Sequence, residues 1–242
     1  MFGATHFIWL GISIVIIVGL LFIQKKYNLS FETVLTMMLV MSVCSEVTKI
    51  LCNMEPAPDG RTGLILDPGD LPFHLCSIQI LFMFAVKYIK NDLFREKMIG
   101  FMIPTMILGA TIALFVPTVG TEFTVVQVYQ YFIYHSFLIF FAIYGLKERL
   151  VTWNWKVYLR NLQYLGVIAL VVTWINSALS GVLPRVNFMY LVRPPMEGLP
   201  LLNLNNGWAV YFLTLVGLVL ILMALFTYIA ISVTKQKNKI EK

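Results

Sequence analysis

The chain has 242 residues, of which 59% are hydrophobic and only 12% are charged, with a formal net charge of +6. A soluble domain carries about one charged residue in four, so this composition excludes a soluble globular protein and points to an integral membrane one. The basic excess would suit nucleic acid in a soluble protein, but its placement along the chain reflects membrane orientation and predicts no nucleic-acid partner.

Seven apolar runs reach the roughly 17–25 residues that cross a bilayer. They lie at about 7–23, 33–52, 72–89, 98–116, 125–146, 164–183 and 208–233. The expected fold is all-α, a polytopic bundle of seven transmembrane helices in a single integral membrane domain, 1–242. Met1 to His6 supplies no basic region ahead of the first run, so a cleaved signal peptide is not expected. With the N-terminus outside, 14 of the 18 Lys and Arg residues fall in inner segments, from Lys25 and Lys26 to Lys235 and Lys242. Outer loops hold Arg61, Arg185 and Arg193, and Lys49 lies in the second run. Basic residues concentrate on the cytoplasmic side of membrane proteins, which predicts N-terminus out, C-terminus in, in the plasma membrane.

The first run reads as scaffold. The second carries Ser42, Glu46, Lys49 and Asn53 at spacings that share one helical face. Glu46 and Lys49 either neutralise each other or line a functional cavity. The loop from Asn53 to Leu71 holds Glu55, Asp59, Asp67 and Asp70 without the spacing of a calcium loop, and reads as solvated. Asp70 stands where an N-cap belongs, with Pro72 at the expected helix start. The third run then opens with His74, Cys76 and Gln79. His74 and Cys76 are two apart and face different ways, whereas Cys76 and Gln79 share a face. Cys76 sits near the positive helix end, which favours a reactive thiol; an unpaired Cys in an apolar helix is more often a small buried hydrophobe. Cys44 and Cys52 are eight positions apart on one helix, about 12 Å, and cannot bridge. A Cys52–Cys76 disulfide stays open.

The fourth run holds Pro104 and Gly109, a predicted bend. The fifth carries Gln127, Tyr131 and His135 at i, i+4 steps, with Gln130 and Tyr134 on the adjoining face. His135 should lie about three turns below the outer surface. The sixth ends with Asn176, Ser177 and Ser180, followed by an outer loop with Asn187, Tyr190, Pro194 and Pro195. These polar groups come from four helices and fall in the outer half of the expected membrane. Polar content at depth is tolerated where it lines a cavity, so one outward-facing polar cavity is expected. His74, Cys76, Glu46 and His135 are zinc-type ligands but lack paired spacing; neither metal nor cofactor is expected.

Leu71-Pro72-Phe73-His74-Leu75-Cys76, Tyr134-His135 and Asn187-Phe188-Met189-Tyr190-Leu191 with Pro194-Pro195 resemble the bacterial YwaF-type integral membrane family, related to the animal transmembrane protein 164. The resemblance implies a helical membrane bundle. For the animal relative it implies transfer of fatty acyl chains between phospholipids through a Cys and a membrane His, at positions matching Cys76 and His135. The expected activity is phospholipid acyl transfer through a Cys76 thioester, with membrane phospholipid as partner and His74, Gln79, Gln127, Tyr131, Glu46, Lys49, Asn176, Asn187 and Tyr190 around the cavity. The alternative is a small-solute carrier or ligand-binding protein using that cavity without covalent chemistry.

Overall fold

In the computed structural model the described residues are 2–56, 63–66, 68–181, 186–196, 198–199 and 201–240. Asp59, Arg61, Asp67 and Arg185 lie outside them. Helices α1 (Ala4–Tyr27), α2 (Phe31–Asn53), α3 (Leu75–Tyr88), α4 (Asp92–Phe115), α5 (Val126–Lys147), α6 (Trp155–Ser180) and α7 (Trp208–Ile240) carry the fold. Six of these are long and apolar enough to cross a membrane; α3, with 14 residues, is shorter. The polytopic helical architecture is therefore present, with a short third helix. Between α2 and α3 the chain pairs β1 (Met54–Pro56) with β2 (Leu64–Leu66), antiparallel, where the sequence suggested only a solvated loop.

The helix ends follow local chemistry. Ser30 caps α2 by accepting from the Thr33 amide at 3.3 Å. Asn154 caps α6 by accepting from the amides of Lys156 and Val157. Asn28 closes α1 in the left-handed conformation (φ 47°), one of the few residues that adopt it at low cost.

Asp70 does not cap α3. It ends a 3-10 turn, Pro68–Asp70, and the Phe73 amide then turns back to the Leu71 carbonyl at 2.8 Å. Leu71 precedes a proline, which disfavours helical backbone there. The helix starts only at Leu75, with the His74 carbonyl accepting from the Ile78 amide at 2.9 Å. A helix of 14 residues rises about 21 Å, against a hydrocarbon core of about 30 Å.

Clustering of backbone contacts separates two compact units. The first holds residues 1–88 and 109–141. In it α2 and α3 run antiparallel, tied at one end by Lys87, which reaches Glu32 at 3.2 Å and the Thr36 hydroxyl at 2.7 Å. The early turns of α1 lock onto the α4–α5 connection. Trp9 donates to the Thr121 carbonyl at 3.1 Å and stacks on Phe132 at 5.0 Å. His6 Nε2 donates to the Leu114 carbonyl at 2.8 Å while its Nδ1 accepts from the Phe2 amide. Both ring nitrogens are thus satisfied in the neutral form, and this buried histidine is structural.

The second unit holds residues 89–108 and 142–242. Pro104 lies inside α4 and lacks the amide that would bond the Gly100 carbonyl four residues back. That carbonyl accepts instead from Asn161 Nδ2 on α6, at 2.7 Å in a buried setting. Gly100 permits the close approach, since a Cβ there would meet Arg160 Nη2 at 3.0 Å and Val151 at 3.3 Å. Asn161→Ala should lower stability by about 1–3 kcal/mol by orphaning a buried carbonyl. Adding Pro104→Ala, which restores the helical donor, should recover part of that loss. Thermal unfolding of the four proteins of this double-mutant cycle in detergent checks it, and independent effects of the two substitutions would contradict the exchange.

Candidate functional site

The first unit gathers a polar cluster from α2, the turn before α3, α3 itself and α5. Its centre is Glu46. Oε1 pairs with Lys49 Nζ at 2.5 Å, three residues along the same helix, and Oε2 accepts from the Ser77 hydroxyl at 2.9 Å. The two charged side chains are only 15% and 16% exposed. An isolated charge so enclosed is costly, and mutual pairing plus a hydroxyl donor relieves that cost. The i, i+3 pair expected from the sequence therefore forms, and it recruits Ser77, which periodicity alone did not single out.

Ser77 brings its neighbours with it. Cys76 is the second residue of α3, and its buried sulfur lies against the N–H groups of Cys76 and Ser77, with the opposite charges of Lys49 and Glu46 both acting on it. The opening amides of a helix have no intrahelical acceptor, and with the helix dipole they set a positive potential at this end. The late start of α3 is what puts Cys76 among those amides. All three cysteines, Cys44, Cys52 and Cys76, are free thiols, so the Cys52–Cys76 disulfide left open by the sequence is not formed. His74, in the turn, bonds the Gly69 backbone and feels the same Lys49 charge.

From α5, the Tyr134 hydroxyl donates to the Cys76 carbonyl at 2.8 Å, and its phenol also meets Ser42. One turn earlier, Gln130 Nε2 donates to the Ser45 hydroxyl at 2.6 Å. Three contacts thus close a triangle of helices: Glu46–Ser77 joins α2 to α3, Ser45–Gln130 joins α2 to α5, and Cys76–Tyr134 joins α3 to α5. The face of α5 used here is that of Gln130 and Tyr134. Tyr131, on the neighbouring face, donates instead to the Ala113 carbonyl of α4 at 3.0 Å. Gln127 is half-buried near the start of α5, and Gln79 is fully buried on α3.

His135 is 4% exposed, and its Nδ1 contacts the Tyr131 carbonyl at 2.7 Å. A carbonyl only accepts, so Nδ1 carries the proton and Nε2 holds the lone pair, the form suited to a base. No hydrogen bond joins His135 to Cys76 among the described residues; sequence neighbour Tyr134 makes the contact to Cys76 instead.

Asn176, Asn187 and Tyr190 belong to the second unit, where they shape a loop. Asn176 brackets Phe188, accepting from its amide at 2.9 Å and donating to its carbonyl at 3.0 Å. Asn187 accepts from the amides of Val192 and Arg193 and donates to the Arg193 carbonyl. The Tyr190 carbonyl accepts from the Tyr211 hydroxyl. Met189 and Tyr190 both take positive φ, near 55°, a strained conformation for such side chains. Their hydrogen-bonded frame holds it in place.

A family model, described as the TMEM164 family, matches residues 1–227. Comparison with curated proteins and with solved structures gave no match.

Glu46→Gln should strand Lys49 without its counter-charge and cost about 2–3 kcal/mol of stability. Glu46→Gln combined with Lys49→Met, which removes the stranded charge, should regain most of it. Thermal melts of the single and double variants in detergent decide this: equal melting of the single variant and the unmodified chain would show the pair to be dispensable.

Proposed function

Because the chain belongs to the TMEM164 family and is a multi-pass membrane protein with several apolar helices, we propose that it transfers fatty acyl chains between phospholipids through a thioester on Cys76. The observation that carries this reading is the seat of the Cys76 sulfur, buried in the first turn of α3 against two backbone N–H groups, where the charges of Lys49 and Glu46 both act on it. Helix-start amides and a nearby cation favour a reactive thiol, and the buried setting makes the His135 base necessary to the step. The finer assignments belong to the same reading: the YwaF-like branch, a plasma-membrane location with the N-terminus outside, and a phospholipid substrate reached from the outer leaflet.

In the proposed reaction His135 Nε2 takes the Cys76 thiol proton, and the sulfur attacks the ester carbonyl of a phospholipid. The ester C–O bond breaks, the lysophospholipid alkoxide takes the proton back from His135, and the acyl group remains on sulfur. A second lysophospholipid hydroxyl, deprotonated by His135, then attacks the thioester; the C–S bond breaks and the thiol is restored. This is the usual division of labour between a Cys nucleophile and a His base. First-turn amides of α3, with Gln79 or Gln127, would donate to the oxyanion, a term worth about 3–4 kcal/mol per donor in other acyl-transfer enzymes. The reading requires His135 to approach Cys76 when lipid binds, since catalytic hydrogen bonds often tighten only in the substrate complex.

The Glu46–Lys49 pairing also bears on the alternative. A carrier would use those two groups for a solute or a proton, whereas here each is engaged by the other.

Cys76→Ser should abolish acyl transfer between defined phospholipids in proteoliposomes, while Cys52→Ser, at an exposed free thiol, keeps it. His135→Gln should slow transfer by about 10²–10⁴-fold, the usual contribution of a general acid–base group. Full activity in Cys76→Ser protein, with melting unchanged, would rule out the thioester.

A further inference from the structure

Beside the helix triangle, on the outer side of its α2–α5 edge, lies a groove of about 230 Å³. Met41, Cys44 and Ser45 line it from α2, and Tyr129, Gln130 and Ile133 from α5. Its chemistry is unlike that of the Cys76 cluster behind it. Ser45 and Gln130 satisfy each other at 2.6 Å, and the neighbouring Thr48 hydroxyl turns back to the Cys44 carbonyl at 2.9 Å. The Ser45 and Thr48 hydroxyls and the Gln130 amide nitrogen are thus engaged within the protein, and the lining is mainly apolar, which leaves a surface that offers a polar solute little to bond. An apolar chain loses nothing there. Both bordering helices are long and apolar enough to span a bilayer, so the medium that meets this groove is lipid acyl chain. Cys44, Val126 and Tyr129, which line the groove, are exposed. Tyr129 stands in the first turn of α5, where an aromatic hydroxyl suits the headgroup level.

We propose that this α2–α5 groove is the seat of one acyl chain of a phospholipid, held beside the triangle that carries Cys76. The inference rests on the acyl-transfer reading and adds where the chain lies. Gln130 on the groove floor and Tyr134 against the Cys76 carbonyl are one turn apart on α5. Ser45 on the floor and Glu46, which holds Ser77, are adjacent on α2. The groove floor therefore shares α2 and α5 with the site, at positions adjacent or one turn away from those that hold the α3 turn. A chain seated in the groove extends past the helix contacts that fix Cys76, and the groove acts as a positioning and specificity surface with no covalent role.

The test uses the full chain in vesicles of phosphatidylcholine bearing a photoactivatable diazirine along one acyl chain, followed by peptide mapping of the adducts. Adducts should concentrate at Cys44, Tyr129 and Ile133, above the level at Val40, Val47 and Leu51, which are exposed on α2 outside the groove. A Val47→Tyr control matches the reactivity of Tyr129 at a position outside the groove. Cys44→Trp, which fills an open groove and should leave melting unchanged, should abolish the enrichment. Even labelling along α2, or enrichment that survives Cys44→Trp, overturns the proposal. So does efficient oxidative Cys44–Cys44 cross-linking with no lipid adducts, which would place a second copy of the chain in the groove. The experiment is run on Cys76→Ala protein as well: enrichment there supports the groove independently of chemistry, and its absence in both proteins removes the groove while leaving acyl transfer to be judged by turnover.

Discussion

The Glu46 carboxylate is the point on which the first unit turns. One oxygen holds Lys49 and the other holds Ser77, so a charge pair within α2 becomes a tie between α2 and α3. In a medium without water, such a carboxylate must find its partners in protein. Because the partner on α3 is Ser77, the register of α3 against α2 is set at the very turn that carries Cys76. Tyr134 then grips the same turn from α5 through the Cys76 carbonyl. The thiol is thus held by the backbone around it, buried beside the first amides of α3 and within the fields of both Lys49 and Glu46.

The second unit solves a related difficulty with uncharged groups. Pro104 leaves a carbonyl without its helical donor and Asn161 supplies one from α6; Phe188 would be an isolated buried peptide, and Asn176 bonds both its amide and its carbonyl. In both cases an asparagine amide, with one donor side and one acceptor side, repairs irregular backbone. That use gives each of the two asparagines in α6 a part in holding irregular backbone.

The long helices were legible because length and apolarity alone mark a span: the runs near 7–23 and 33–52 lie within the observed α1 and α2, and the run near 125–146 matches α5 to within one residue at each end. The starts of α4 and α6 were less so: these helices begin at Asp92 and Trp155, ahead of the apolar runs at 98 and 164. Arg95, Lys97, Lys156 and Arg160 are good helix formers outside hydrocarbon, so helix and apolar run end at different places. Asp70 and Pro72 obeyed the grammar of a helix start, but the reverse turn at Leu71–Phe73 competed for the same amides and prevailed. In the site, Glu46–Lys49 could be read because it is local. Glu46–Ser77, Ser45–Gln130 and Cys76–Tyr134 could not, since periodicity groups residues on a face without saying which neighbour that face will meet. The polar stripe through Gln127, Tyr131 and His135 was real, yet Tyr131 turns to α4 while the adjoining stripe turns to Cys76.

The shortness of α3 has a bearing on what keeps it in place. Its 14 residues give lipid too little apolar length to hold it across a bilayer unaided. What holds it is α2, through Lys87 with Glu32 and Thr36 at one end and Ser77 with Glu46 near the other. α3 thus depends on α2 for its place, and the environment of the cysteine-bearing turn is complete only when α2 and α5 are both packed against it.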